Sequence, residues 1–279
     1  MINLGELSKP ATVLIEKISD AVGGIFKPYQ IKRIAKAEAE AGLIDAESQI
    51  QITDLHRRAM HRFVEEEAQK QANIETITSD SLPLLEDSSS PEKLDDDWIT
   101  NFFDKCRIVS DGEMQQLWSK VLAGEANKPG AFSRRTVNLI SDLEKSDADL
   151  FTNLCRFGWM IGNVTPLIFD PQNEIYNTHG IDFGSLSHLE TLGLIQFNSL
   201  TGFHQAKLSK RIGIFYYGTP VELTLPKDSD NVLELGRVLL TNAGQQLAPI
   251  CESQAIPEYL EYVRKRWVDQ KLIAEHIKD

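Results

Sequence analysis

The chain has 279 residues, 42% of them apolar and 25% charged, enough for one large globular domain or two to three modest ones. Its net charge of −12 excludes the whole-molecule positive field of a non-specific DNA coater, while leaving room for a local basic patch. Cys106, Cys155 and Cys251 lie far apart in apolar helical surroundings and read as buried thiols, with no disulfide framework and no CxxC half-site.

Met1 is followed by Ile2, Asn3, Leu4 and Glu6, which do not make a secretion signal. No stretch reaches the ~20 apolar residues of a spanning helix, so the cytoplasm is the expected location. A first helix is predicted from Pro10 to Phe26, with Leu14, Ile15, Ile18, Val22, Ile25 and Phe26 on one face. A second helical run from Tyr29 to about Ile77 has a thin apolar side and a weak point at Gly42. Unbroken, it would be ~70 Å long at ~1.5 Å per residue, and it reads as an arm or subunit-contact element.

Residues 78–97 carry Pro83, Pro91, several serines and a run of acids offset only by Lys93, the composition of a flexible linker. Beyond it, four short helices are predicted: one with Trp98, Phe102, Phe103 and Cys106 that runs to about Ile108, one capped by Asp111, one capped by Ser133, and one opened by a Ser146/Asp149 capping box. After Gly162 short strands are expected at Thr165–Phe169, Glu174–Tyr176, Leu194–Phe197, Ile212–Tyr217, Val221–Leu225 and Val238–Leu240. Pro220 argues against a two-residue hairpin turn at Gly218. Helices are predicted at Asp182–Leu192, after Thr241 and from Pro257.

The order Leu189-Glu190-Thr191-Leu192-Gly193-Leu194-Ile195, two strands, then Leu240-Thr241-Asn242-Ala243-Gly244-Gln245-Gln246-Leu247 resembles the back half of a winged-helix domain. That resemblance implies either a DNA-binding unit or a protein-contact module. Lys207, Lys210 and Arg211 in the wing are the candidate phosphate contacts. The helix from Asp182 to Leu192 has neither Lys nor Arg for base readout, which favours protein contact.

A wider resemblance rests on Leu117-Trp118-Ser119-Lys120-Val121-Leu122-Ala123-Gly124-Glu125 and Pro129-Gly130-Ala131-Phe132-Ser133-Arg134-Arg135-Thr136. These segments are similar to the central part of a bacterial family of uncharacterised proteins, domain of unknown function 2806 (DUF2806). The front end, including Ile31 to Ala39, is similar to the opening of bacterial proteins, some found among phage-defence or abortive-infection genes. The resemblance implies a bacterial cytoplasmic protein and supplies no catalytic residue.

Arg134 and Arg135, at a helix start where the dipole disfavours cations, point to an anion or an acidic partner, and Asp95, Asp96 and Asp97 offer one within the chain. His56 and His61 are five apart and do not share a helix face, and His179 and His188 lack a third ligand, so no metal is assigned. No phosphate-binding loop, HExxH, nucleophile elbow or dinucleotide fingerprint occurs, and no cofactor is assigned.

The resulting expectation is a mainly α protein, α+β overall. It divides into an N-terminal helical arm (1–77), an acidic flexible linker (78–97), a helical core (98–162), a winged-helix-like domain with a small β-wing (163–256) and a C-terminal helix (257–279). The expected function is interaction or regulation, with self-association or a protein partner through the N-terminal helices. DNA binding through the wing is one alternative. Peripheral attachment at the inner membrane face through Leu14, Ile15, Ile18, Val22, Ile25 and Phe26 is another, because Lys27, Lys32, Arg33 and Lys36 follow that apolar face.

Overall fold

The computed structural model describes residues 7–22 and 54–273, and the chain divides into two compact units, residues 1–141 and 142–279. The chain is mainly helical, with the smaller β content concentrated toward the C-terminus. The helix Lys145–Cys155, which its apolar spacing groups with the helical core, belongs to the second unit.

In the first unit, α1 (Lys9–Val22) begins with the Ser8 Oγ accepting the Ala11 N–H at 3.3 Å. It packs on α3 (Asp96–Cys106) and on a 3₁₀ turn at Pro91–Lys93, and Lys17 pairs with Asp96. Ala11, Leu14, Ile15 and Ile18 are buried there. This corrects the assignment of Leu14, Ile15 and Ile18 to an oligomer or membrane contact: their own unit covers them. Val22 is half-buried, and Ile25 and Phe26 lie outside the described residues.

Helix α2 (Asp54–Ser81) is continuous, and the question of a break at Gly42 falls outside the described residues. Its first half exposes Leu55, Met60 and Phe63, and burial begins at Asn73. From there polar groups bind it to its neighbours. Asn73 Nδ2 donates to the Arg107 carbonyl at 2.8 Å, and Ser119 Oγ donates to the Ile77 carbonyl at 3.0 Å. Ser119 lies on α4 (Gly112–Asn127), whose Met114, Trp118, Val121 and Leu122 form the core face.

The segment expected to be a flexible linker is instead docked. Helix α2 runs through Ser81, and 3₁₀ turns follow at Leu82–Leu84 and Pro91–Lys93, with Leu82, Pro91 and Leu94 buried. The Ser90 N–H donates to the Ala126 carbonyl at 3.0 Å, and the Asn127 side chain bonds both Glu86 N–H and the Leu84 carbonyl at 3.0 Å. Composition misleads here because Glu86, Asp87 and Glu92 remain in water while the apolar minority and the backbone make the attachment. Asp95 then caps α3 by accepting the Trp98 N–H at 2.8 Å, and α5 (Arg134–Ser141) closes the unit.

The second unit opens with α6 (Lys145–Cys155). Its capping partner is Asp147, which accepts the Glu144 N–H at 3.0 Å, so the helix starts two positions ahead of the Ser146/Asp149 box. Strands β1 (Gly158–Ile161) and β2 (Asn163–Pro166) follow, then α7 (Glu174–Asn177) and α8 (Phe183–Thr191). The expected strand at Glu174–Tyr176 is the helix α7, because Asn173 caps it through the Ile175 N–H at 3.0 Å. Tyr176, fully buried, holds that turn down by donating to the Leu167 carbonyl at 2.9 Å.

Strands β3 (Ile195–Phe197), β4 (Phe203–Leu208), β5 (Arg211–Tyr216), β6 (Thr219–Thr224), β7 (Asn231–Gly236) and β8 (Val238–Leu240) complete the β content. They form an antiparallel sheet in the order β2-β1-β5-β6 and two-stranded pairs β3–β8 and β4–β7. The β5–β6 hairpin does turn in two residues. Tyr217 and Gly218 both have positive φ, 44° and 81°, and Pro220 is tolerated because β6 is an edge strand.

Helix α9 (Asn242–Leu247), a 3₁₀ turn at Ala248–Ile250 and α10 (Pro257–Asp269) finish the unit. Trp267 of α10 meets Trp159 of β1 edge-on at 4.9 Å, and Tyr259 meets Phe157 at 4.9 Å. No helix among the described residues is long and apolar enough to cross a membrane.

Candidate functional site

The second unit contains a half-open cavity of about 280 Å³ beside the β1–β5 pair. Alternation along the strands creates it. Trp159 and Tyr216 turn inward, while Met160 and Phe215, directly opposite each other, turn outward and are 48% and 49% exposed. Val164 and Pro249 extend the apolar lining. Gly158 is needed at its edge, since a Cβ there would sit 2.9 Å from the Cys155 carbonyl oxygen.

Its other end is polar, with Cys155, Tyr217, Glu252 and Ser253 in the lining. The Tyr217 hydroxyl bonds the Cys155 carbonyl at 3.2 Å and also the Ser253 hydroxyl. Cys251 donates to the Ala248 carbonyl at 3.1 Å. The influence of Cys155 outweighs that of burial and, with help from Ser253 and Thr152, brings the Cys251 thiol down to about 7. The influence of Cys251 and burial push Cys155 well above the ordinary thiol range, and burial pushes the Tyr217 phenol up to about 12. The arrangement joins an apolar mouth, suited to a ring or aliphatic side chain, to a polar end held by the Tyr217 and Ser253 hydroxyls.

The sequence reads all three cysteines as buried thiols. Cys106 fits: burial raises it far above its ordinary value. The approach of Cys155 to Cys251 carries no local signal, because the two residues come from the end of α6 and the turn after α9. Tyr217 and Ser253 were not singled out either.

Lys210 and Arg211 do not stand alone. Lys210 pairs with Asp228 at 2.9 Å, and Arg211 with Glu222 at 3.7 Å. The acid-free stretch around 202–211 acquires acids from across the hairpin, which a linear reading does not see. Lys207 is exposed, with φ at 62°. Helix α8 presents Phe183, 58% exposed, and its His188 Nε2 lies 2.7 Å from Asp147 Oδ1. His179 bonds Arg156 at 3.2 Å. Among the described residues no group of three or more His, Cys, Asp or Glu is placed to hold a metal ion.

In the first unit Arg134 lies 3.6 Å from Asp97, and Arg135 is exposed. The segment leading to them is a buried knot. The Glu125 carboxylate accepts the Gly130 and Phe132 N–H groups, each at 2.7 Å, and Trp98 Nε1 donates to the Phe132 carbonyl at 2.7 Å. Phe132 packs over Gly124, where a Cβ would come within 2.6 Å of the ring. Ser133 caps α5 by accepting the Thr136 N–H at 3.2 Å. These residues build the fold locally rather than present chemistry to solvent.

These observations define a two-unit, mainly helical protein whose C-terminal unit carries an antiparallel β ribbon and an apolar cavity with Cys155, Tyr217 and Ser253 at one end. The chain belongs to the family described as Protein of unknown function (DUF2806), which matches residues 57–264. The match takes in the Glu125 knot, the β5–β6 hairpin and the cavity. No curated protein and no solved structure matches the chain.

Proposed function

We propose that this is a non-enzymatic interaction or regulatory protein of the bacterial cytoplasm, and that its C-terminal unit is a winged-helix-like protein-contact module. The observation that carries the reading is the outer face of the β1–β5 pair. Met160 and Phe215 stand half-exposed side by side at the mouth of a cavity, the arrangement by which a fixed apolar surface receives a partner's side chain. The winged-helix reading is supported by the order α8, β3, β ribbon, β8, α9 and by the turn between α8 and β3. Gly193 there takes φ of 81°, and the Thr241 hydroxyl bonds the Gly193 carbonyl at 2.7 Å while capping α9. Protein contact is favoured over DNA because α8 offers an exposed phenylalanine and neither lysine nor arginine, and Lys210 and Arg211 are ion-paired. Self-association is assigned to the exposed first half of α2, where Leu55, Met60 and Phe63 lack cover. Stress response or phage defence is the setting implied by the resemblance of the front end.

The test is a photo-reactive residue placed at Phe215 or, separately, at Phe63 in cells that express the protein. Position 215 should give a discrete protein adduct that Met160→Asp removes, and position 63 should join two copies of this chain. Nucleic-acid adducts at position 215, or none at either position, would reject the reading.

A further inference from the structure

The cavity beside β1 and β5 has two chemically different ends, and a group that satisfies both must change character along its length. Met160, Val164, Phe215 and Pro249 offer apolar surface at one end. The other end holds Glu252 and the Tyr217 and Ser253 hydroxyls, which bond each other. Glu252 is exposed, so its carboxylate is reached from water, and it is the one Asp, Glu, Lys, Arg or His among the described residues that line the cavity. Its backbone takes φ of 53°, a strained conformation for a non-glycine residue, of the kind that collects at binding sites. The Tyr217 phenol, pushed up to about 12, stays neutral beside it. Arg156, next to Cys155 in the chain, directs its guanidinium to the Gln254 carbonyl and to His179.

The single carboxylate decides what fills the space. A ring or branched aliphatic group would take water from Glu252 and offer the charge nothing in return, at a cost in free energy. An aliphatic stem that ends in a cation fits both ends. Its methylenes lie against Met160 and Phe215, and its head reaches the carboxylate and the Ser253 oxygen beside the Tyr217 ring. The net charge of −12 on the chain draws a group of that sign from a distance. Resting on the protein-contact reading of the β1–β5 face, we propose that the cavity receives a lysine or arginine side chain of a protein partner, with Met160 and Phe215 holding the stem and Glu252 the charged head.

The experiment titrates the full chain, isotope-labelled at its methionine methyl groups, with butylammonium, butylguanidinium, n-butanol and butyrate at fixed ionic strength, and follows the Met160 methyl resonance. Both cations should shift it saturably and bind about tenfold more tightly than n-butanol, and butyrate should leave it in place. Glu252→Gln should cut that preference to about threefold or less without changing n-butanol binding. Binding of n-butanol as tight as that of the cations would make the cavity a plain apolar pocket and overturn the proposal. Cations that leave Met160 unmoved, or a preference that survives Glu252→Gln, would overturn it too. The wild-type series needs no substitution, so misfolding of the variant leaves the test intact. It also needs no partner. A protein adduct at position 215 together with equal binding of n-butanol would sink the charge preference alone, whereas nucleic-acid adducts there would sink the protein-contact reading.

Discussion

Each unit buries a carboxylate, and the two are answered in opposite ways. Glu125, 4% exposed, is met by backbone N–H groups of the loop that follows it within seven residues. Asp147, 8% exposed, is met by the Glu144 N–H and by a side chain from another helix, His188 on α8. Burial is the largest influence on Glu125 and keeps its carboxyl above the usual 4.5 although three N–H groups pull it down. Burial also raises Asp147, but the His188 and Glu144 hydrogen bonds outweigh it and hold the group below 3.8. A carboxylate enclosed by its own loop serves as a local fastener, whereas one shared between helices serves as a tie across the fold. Their pH dependences are opposite in sign. The Glu125 contribution improves as pH falls through the folded value toward 4.5, and the Asp147 contribution is present above 3.8 and lost as pH falls through its folded value.

The largest effect is expected on removing the fastener. Glu125→Ala leaves the Gly130 and Phe132 N–H groups without their acceptor inside the first unit. At ~1–3 kcal/mol for each stranded buried donor, partly relieved by water entering the gap, the cost should be about 3 kcal/mol. Hydrogen exchange of the 129–136 amides, together with denaturant unfolding, measures it. A change below about 1 kcal/mol would break the contrast, since the loop would then be held by Phe132 packing alone.

The fastener shows how far sequence carries. Trp118, Val121 and Leu122 announce their helix face by spacing, and Asp111, Ser133 and Thr241 announce helix starts, because those signals reside within a few residues. The glycine and glutamate at 124 and 125 could be read only as part of a pattern. Their reason is a loop returning over the helix, still close in sequence. Residues 78–97 were misjudged because acids dominate the composition and Leu82, Pro91 and Leu94 dominate the energetics. The cavity was invisible for a different reason. β1, the hairpin at Tyr217 and the turn at Cys251 are brought together by tertiary packing, and neither period nor spacing records which partner each will meet.

A smaller effect is expected on cutting the tie. His188→Ala removes one of the two hydrogen bonds of Asp147 and leaves the other in place. The His188 side chain is 50% exposed, so water replaces much of what is lost, and about 1 kcal/mol is expected at neutral pH. The difference between variant and wild type should shrink as pH is lowered below 3.8, because protonated Asp147 no longer rewards the histidine. A difference that persists unchanged in acid would mean that His188 acts by packing.

The smallest effect belongs to ion pairs that neither enclose nor cross anything, those of Lys210 and Arg211. Lys210 and Asp228 are 53% and 92% exposed, and Arg211 and Glu222 are 74% and 64% exposed, so each pair is already screened by water and salt. Replacing Lys210 and Arg211 together by alanine should change stability by less than about 0.5 kcal/mol. The same double substitution decides whether the cations have another use. Phosphate contacts would require Lys210 and Arg211 to leave Asp228 and Glu222, and those carboxylates would then lie beside the incoming phosphates and repel them. Wild-type and double-variant proteins should therefore pass a duplex-DNA column alike at low salt. Retention of the wild type that the double variant loses would show that nucleic acid competes successfully with Asp228 and Glu222, and the protein-contact reading of the second unit would have to yield to a DNA-binding one.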